Sequence, residues 1–216
     1  MIPFEPSSED GLGALAGCDI IPLIGIEDPL HVDDVAAGLV AGGLPVAEVA
    51  LRGEHGLSSL RRMAGRGDIL VGAGTVLSVD QAREALDAGA AFVVTPGLDL
   101  DVVRYVRGAG VPLVPGVLTP SEVLAARSAG LRRLKLFPAG VFGGLKLLSA
   151  YADVFRDVQF MPSGGITQAT LAAHLDHPAV FAVSGSWIAS AGSRGDIAAA
   201  ARIAVESARA ARTGDA

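Results

Sequence analysis

Short apolar runs that stop at Gly, Pro, Ser or Thr recur along the chain a little over twenty residues apart, each followed by a stretch with helical spacing. The runs are I-I-P-L-I-G-I from residue 20, P-V-A-E-V-A-L-R from 45, D-I-L-V-G-A-G-T from 68 and A-F-V-V-T-P-G from 91. They continue with V-P-L-V-P-G-V from 111, R-L-K-L-F-P from 133, V-Q-F-M-P-S-G-G from 158 and F-A-V-S-G-S-W from 181. Continuous aliphatic runs of this kind suit parallel strands buried on both faces. The gaps carry helix signals: Ser78 opens one, and Thr119, three residues before Glu122, opens another that closes at Gly130. An eightfold β–α alternation predicts one domain over residues 1–216, a (β/α)8 TIM barrel, because an open doubly wound sheet usually has fewer strands. Ser7 to Gly17 reads as an additional N-terminal helix, and the tail after Ala208 as polar enough to fray.

In such a barrel the active site is built at the carboxyl ends of the strands, so the polar residues ending each run are the informative ones. The second run ends with Glu48 and Arg52, the third with Thr75, the fourth with Thr95 and Pro96, the sixth with Lys135 and Phe137, the seventh with Ser163. Strand periodicity puts Glu48, Ala50 and Arg52 on one face of their strand, and Arg133, Lys135 and Phe137 on one face of theirs. A carboxylate and an amine are thus expected at one mouth.

Composition sharpens the interest in Lys135. The seventeen basic residues are fifteen arginines and two lysines, Lys135 and Lys146. Arginine stays protonated, whereas a desolvated lysine sheds its proton and attacks carbonyls. The competing reading is a lysine whose stem covers apolar surface while its amine reaches water. The last two strands end in S-G-G-I-T and S-G-S-W, glycine- and serine-rich turns each preceding a helix. Glycine lets backbone N–H groups approach an anion, and this end of a barrel commonly holds phosphate. An amine, a carboxylate, an arginine and a phosphate cradle at one mouth describe a Schiff-base enzyme acting on a phosphorylated keto acid.

Charge and targeting features narrow the partners. A formal charge of −6 with scattered arginines argues against a nucleic-acid surface. No apolar run approaches the roughly 20 residues that span a membrane. The start, M-I-P-F-E-P-S-S-E-D, has no basic region ahead of an apolar segment, so the cytoplasm is the expected compartment. Cys18, the only cysteine, reads as a small apolar residue. His174 and His177 lie three apart without carboxylate or thiol company and read as surface residues, so no metal site is expected.

The segments I-I-P-L-I-G-I, E-V-A-L-R, V-G-A-G-T-V-L, V-T-P-G-L-D, V-P-G-V-L-T-P-S-E, L-K-L-F-P-A, M-P-S-G-G-I and S-G-S-W stand in an order and spacing that resembles one family. It is the class I 2-keto-3-deoxy-6-phosphogluconate and 4-hydroxy-2-oxoglutarate aldolases. The resemblance implies that Lys135 forms a covalent imine with substrate and needs no other cofactor. By the same resemblance Glu48 is the acid and base, Arg52 and Thr75 hold the substrate carboxylate, and Pro96 and Phe137 wall the pyruvyl pocket. Ser163 would lie near the substrate hydroxyls, where the family usually has threonine. Gly164, Gly165, Gly185 and Ser186 would take the phosphate. The implied partners are pyruvate, a small phosphorylated keto acid and two further copies of the chain in a homotrimer.

The chain departs from the family pattern at Gly53, where threonine is usual, and at Gly140, where glutamate is frequent. Phe142-Gly143 resembles the 2-keto-3-deoxy-6-phosphogalactonate branch, although that branch usually lacks the arginine of E-V-A-L-R. The alternatives are therefore that branch, a phosphate-binding barrel enzyme using Lys135 only as a charge, and an inactive barrel that binds a phosphorylated metabolite.

Overall fold

The computed structural model describes residues 13–26 and 28–213. Strands and helices alternate as β1 (Ile20–Ile24), α1 (Val32–Ala41), β2 (Val46–Ala50), α2 (Gly56–Ala64), β3 (Leu70–Gly74), α3 (Val79–Asp87), β4 (Val93–Val94) and α4 (Leu100–Gly108). There follow β5 (Leu113–Val114), β6 (Gly116–Val117), α5 (Pro120–Ser128), β7 (Arg133–Leu136), α6 (Leu145–Val154), β8 (Gln159–Pro162), α7 (Gln168–Leu175), β9 (Val183–Gly185) and α8 (Arg194–Thr213).

Every strand pair is parallel, in the orders β5-β4-β3-β2-β1-β9 and β6-β7-β8. Among the described residues nine strands replace the expected eight because Pro115 divides the fifth run. Proline has no N–H to give a ladder, so Leu113–Val114 pairs with β4 while Gly116–Val117 pairs with β7. The Pro115 carbonyl still accepts from Lys135 N at 2.8 Å. Parallel bridges also join Phe160 of β8 to Val180 and, just past β8, Ser163 to Ser184. The result is a curled parallel sheet with a helix after almost every strand, an α/β architecture.

Two expectations at the ends need correction. Of the additional N-terminal helix, the described part is one 3-10 turn, Gly13–Leu15; Ser7 to Leu12 lie outside the described residues. Gly13 and Gly17 have φ of 49° and 82°, left-handed values that a right-handed helix does not pass through. Residues 209–213 do not fray, since α8 continues to Thr213 with Ala208 and Ala211 buried, and residues 214–216 lie outside the described ones. Arg212 holds it there, with Nε 2.8 Å from Asp19 Oδ1 and its terminal nitrogens donating to the carbonyls of Leu175, Val180 and Phe181.

The register decides which side chains share a face. Glu48 pairs with Leu23 and Gly72, Lys135 with Gly116 and Met161, and Ser184 with Ile21 and Ser163. Registered partners in a parallel pair project to the same side. Leu134 and Leu136, one residue off, project to the other side with Phe160 and Pro162. That outer layer is closed by Tyr151, whose ring lies 5.8 Å from Phe160 and 5.7 Å edge-on from Phe155. Phe92 fills the layer below the site and stands over Gly72, where a Cβ would lie 2.2 Å from its ring. Full burial of such a side chain stabilises by about 2–3 kcal/mol.

The helix signals read from sequence are met. Ser78 Oγ accepts from Gln81 N. Thr119 and Glu122 form a reciprocal capping box, and Glu122 Oε2 also takes the Leu118 N–H at 2.8 Å. No helix among the described residues is long and apolar enough to cross a membrane.

Candidate active site

Glu48 stands in the middle of β2, all five residues of which are buried. Its carboxylate is fully enclosed and contacts two groups from distant parts of the chain. Lys135 Nζ lies 3.1 Å from Oε1, and Ser184 Oγ donates to Oε2 at 3.0 Å. Lys135 is itself only 4% exposed. A lysine reaching for solvent would carry its amine outside, so the snorkelling reading of Lys135 fails. Buried charges persist when paired and hydrogen-bonded, and this pair meets both conditions. The amine also lies 5.4 Å from the Phe137 ring centroid, within range of a cation–π contact.

The close fit around the carboxylate depends on a glycine. A Cβ on Gly74, at the end of β3, would lie 2.5 Å from Glu48 Oε1. Behind Lys135, Gly116 plays the same part: its Cβ would meet the Pro96 carbonyl at 2.3 Å. Thr95 ties the ends of β4 and β6 together there, with Oγ1 donating to Gly97 O at 2.6 Å and accepting from Gly116 N at 3.3 Å.

Arg52, two residues beyond Ala50 on the face that carries Glu48, does not pair with it. It is exposed and makes no ion pair among the described residues, its guanidinium lying beside Gly25. A simple Glu48–Arg52 salt bridge is therefore ruled out, and the guanidinium is free to meet an anion. Thr75 follows β3 with φ 58°, the one non-glycine residue in the left-handed region among those described. For a β-branched residue this costs on the order of 1–3 kcal/mol, a strain that tends to gather at functional sites. Arg52, Thr75 and Pro96 sit at the carboxyl ends of neighbouring strands and make no hydrogen bond to Lys135 or Glu48.

Ser163 is buried, and its hydroxyl has no hydrogen-bond partner among the described residues. The chain then turns through Gly164 and Gly165 at φ 84° and 85°. The carbonyls of Ser163 and Gly164 accept from Ala139 N and Gly140 N at 2.8 Å, which locks this turn to the segment after β7. The Phe137–Pro138 peptide leading into that segment is cis. The N–H groups of Gly165 and Ser186 donate to nothing among the described residues, while that of Gly164 faces β9 at the Ser163–Ser184 bridge. Gly185 lies under the Trp187 ring, with room for no side chain, and Ser186 is exposed. Free N–H groups in neighbouring turns are the kind of donor set that anions recruit.

Sequence reasoning passed over Ser184 and Gly74. A serine inside an otherwise apolar, fully buried run was the available signal for the first. His174 is a correction, being buried rather than on the surface, with Nδ1 donating to Thr170 O at 2.8 Å. His177 Nε2 lies 3.2 Å from Ser149 Oγ. No group of three metal-binding side chains is present among the described residues. Burial, and to a lesser degree Asp19, pushes the Cys18 thiol above its ordinary 9.0, which leaves little thiolate there.

A family model described as KDPG and KHG aldolase matches residues 13–203. The 2-dehydro-3-deoxy-phosphogluconate aldolase of Pseudomonas aeruginosa is 42% identical over 78% of this chain and 77% of its own. The crystal structure of the Zymomonas mobilis 2-keto-3-deoxy-6-phosphogluconate aldolase with 3-phosphoglycerate superposes with a TM-score of 0.84 at 39% identity, covering 87% of this chain and 90% of that one. The Legionella pneumophila KDPG aldolase, with pyruvate captured as a covalent carbinolamine, gives 0.84 at 32% identity, covering 89% and 96%.

Proposed function

The chain belongs to the KDPG and KHG aldolase family, a carbon–carbon lyase family, and from that premise we propose that it works through a Schiff base on Lys135. It is an aldolase that cleaves 2-keto-3-deoxy-6-phosphogluconate to pyruvate and glyceraldehyde 3-phosphate, and 4-hydroxy-2-oxoglutarate to pyruvate and glyoxylate. The observation that carries the mechanism is the buried 3.1 Å contact between Lys135 Nζ and Glu48 Oε1.

Proton transfer across that contact leaves a neutral amine, which attacks the C2 ketone. Glu48 returns the proton to the C2 oxygen, water leaves, and a protonated imine remains. Glu48, again a carboxylate, takes the C4 hydroxyl proton while the C3–C4 electrons move into the imine, forming the C4 carbonyl and an enamine. Protonation of C3 by Glu48 and hydrolysis of the imine release pyruvate and restore Lys135. Arg52 and Thr75 hold the keto-acid carboxylate, Phe137 and Pro96 wall the pyruvyl group, and Ser163 donates to a substrate hydroxyl. Gly164, Gly165, Gly185 and Ser186 receive the phosphate. The free guanidinium, the unpaired hydroxyl and the unpaired N–H groups of Gly165 and Ser186 favour the assignment.

We also read residues 1–216 as one domain whose curled sheet closes into a (β/α)8 barrel, active as a cytoplasmic homotrimer without metal or a separate cofactor. Closure is favoured by the shared run 111–117 on one side and the Ser163–Ser184 bridge on the other. The trimer rests on family resemblance, and light scattering of the purified protein tests it.

The deciding experiment is intact mass after incubation with pyruvate and sodium borohydride, followed by peptide mapping. An adduct on Lys135 is expected. A folded protein that turns over substrate without an adduct would replace the imine with a mechanism in which Lys135 acts only as a charge.

A further inference from the structure

We propose that Ser184 is a positioning residue for Glu48, holding one carboxylate oxygen so that the other is the sole proton carrier facing Lys135. The inference rests on the aldolase reading and goes beyond it, since nothing so far gives Ser184 a role. Ser184 lies in β9, separated from β2 in the sheet by β1, and both side chains project to the same side over Ile21 and Leu23. Its Oγ is 3.0 Å from Glu48 Oε2, and both residues are 0% exposed, so no water competes for the contact.

The chemistry asks the carboxylate to accept and return a proton several times in one turnover. A carboxylate has two oxygens and can take the proton on either one. A hydroxyl donating to Oε2 removes that ambiguity. When Glu48 is ionised, Oε2 accepts from Ser184; when Oε1 carries the proton, Oε2 is a carbonyl oxygen and still accepts. One hydrogen bond therefore fits both protonation states, and the proton is confined to the oxygen 3.1 Å from the amine. Gly74 restricts the same carboxylate from the opposite side, with space for no side chain against Oε1. Without Ser184, Oε2 would be a buried acceptor with no donor, and the carboxylate could rotate to seek one.

Ser184→Ala tests this, read by turnover of 2-keto-3-deoxy-6-phosphogluconate and by exchange of the pyruvate C3 protons with D2O. We expect kcat and C3 exchange to fall together by roughly tenfold with KM within about twofold, because substrate contacts are untouched while proton transfer is misaligned. Ser184→Cys, which keeps the volume with a weaker donor, should fall in between. In a Glu48→Gln background, Ser184→Ala should lower the residual exchange less than about twofold, since its effect runs through the carboxylate.

Wild-type kcat and exchange in folded Ser184→Ala would overturn the proposal, as would a further tenfold loss in the Glu48→Gln background. If Ser184→Ala does not fold, Ser184→Cys carries the test, and wild-type kcat and exchange in it would overturn the proposal. The aldolase reading has its own control in the wild-type enzyme: absence of both turnover and a borohydride adduct sinks that reading, whereas failure confined to the Ser184 variants sinks only this one.

Discussion

Gly74 and Glu48 are matched in shape: a methyl group on Gly74 would stand 2.5 Å from Oε1, and the carboxylate occupies the space the missing side chain leaves. Contacts under 3.0 Å force something to move, and the thing free to move is the Glu48 side chain. Gly74→Ala is expected to fold, to retain most of its affinity for the keto acid, and to lose on the order of 100-fold in kcat, within the range general acid–base catalysis contributes. Steady-state kinetics beside a thermal melt check this, and wild-type kcat would show that the carboxylate tolerates displacement.

The Lys135–Glu48 pair is buried at both ends, and removing one member leaves the other charge without a partner. Lys135→Met and Glu48→Gln are each expected to end turnover or nearly so. Loss of one buried partner costs about 3–5 kcal/mol, and because Glu48 becomes the orphan, Lys135→Met should be the less stable of the two. The double variant should recover most of that loss. Urea unfolding at neutral pH measures all three.

Ser163 separates stability from function. Its hydroxyl makes no hydrogen bond among the described residues, so Ser163→Ala removes none and relieves a buried polar group of its desolvation cost. The melting temperature should hold or rise. Affinity for 2-keto-3-deoxy-6-phosphogluconate should fall, while C3 exchange of pyruvate, which has no C4 hydroxyl, should hold. Equal loss on both substrates would place Ser163 elsewhere in the mechanism.

Acid stability should report on Glu122. Burial raises its pKa, but hydrogen bonds from the Thr119 and Leu118 N–H groups and the Thr119 hydroxyl outweigh that and bring it below the ordinary 4.5. A carboxyl lowered on folding contributes stability above its unfolded value and loses it as pH falls through the folded one. Stability should therefore begin to fall near pH 4.5 and continue below it. Glu122→Gln, which cannot ionise, should flatten that part of the profile. An unchanged acid slope in denaturant titrations would assign the loss to other carboxylates.

How much of this was legible beforehand differs from element to element. The β–α alternation, the helix starts at Ser78 and Thr119, and the strand-end positions of Lys135, Phe137 and Ser163 were readable, because strand periodicity, proline and glycine punctuation and capping act over a few residues. The division of the fifth strand at Pro115 was readable in principle, since proline lacks the donor. The continuation of α8 past Ala208 was not, because it depends on Arg212 reaching Asp19 and three carbonyls far away in sequence.

The sequence by itself determined the order of the elements and the residue types that carry chemistry, with a lysine rare enough in this chain to be conspicuous. Tertiary structure alone decided their partners. Glu48 sits 87 residues from Lys135 and 136 from Ser184, and its pairing with them, not with Arg52 just past its own strand, follows from the register of β2, β7 and β9 around the curled sheet. Local rules place a side chain on a face of its strand. Which faces meet, and which glycines leave room for them to meet, is fixed only when distant strands pair and one interior must be filled.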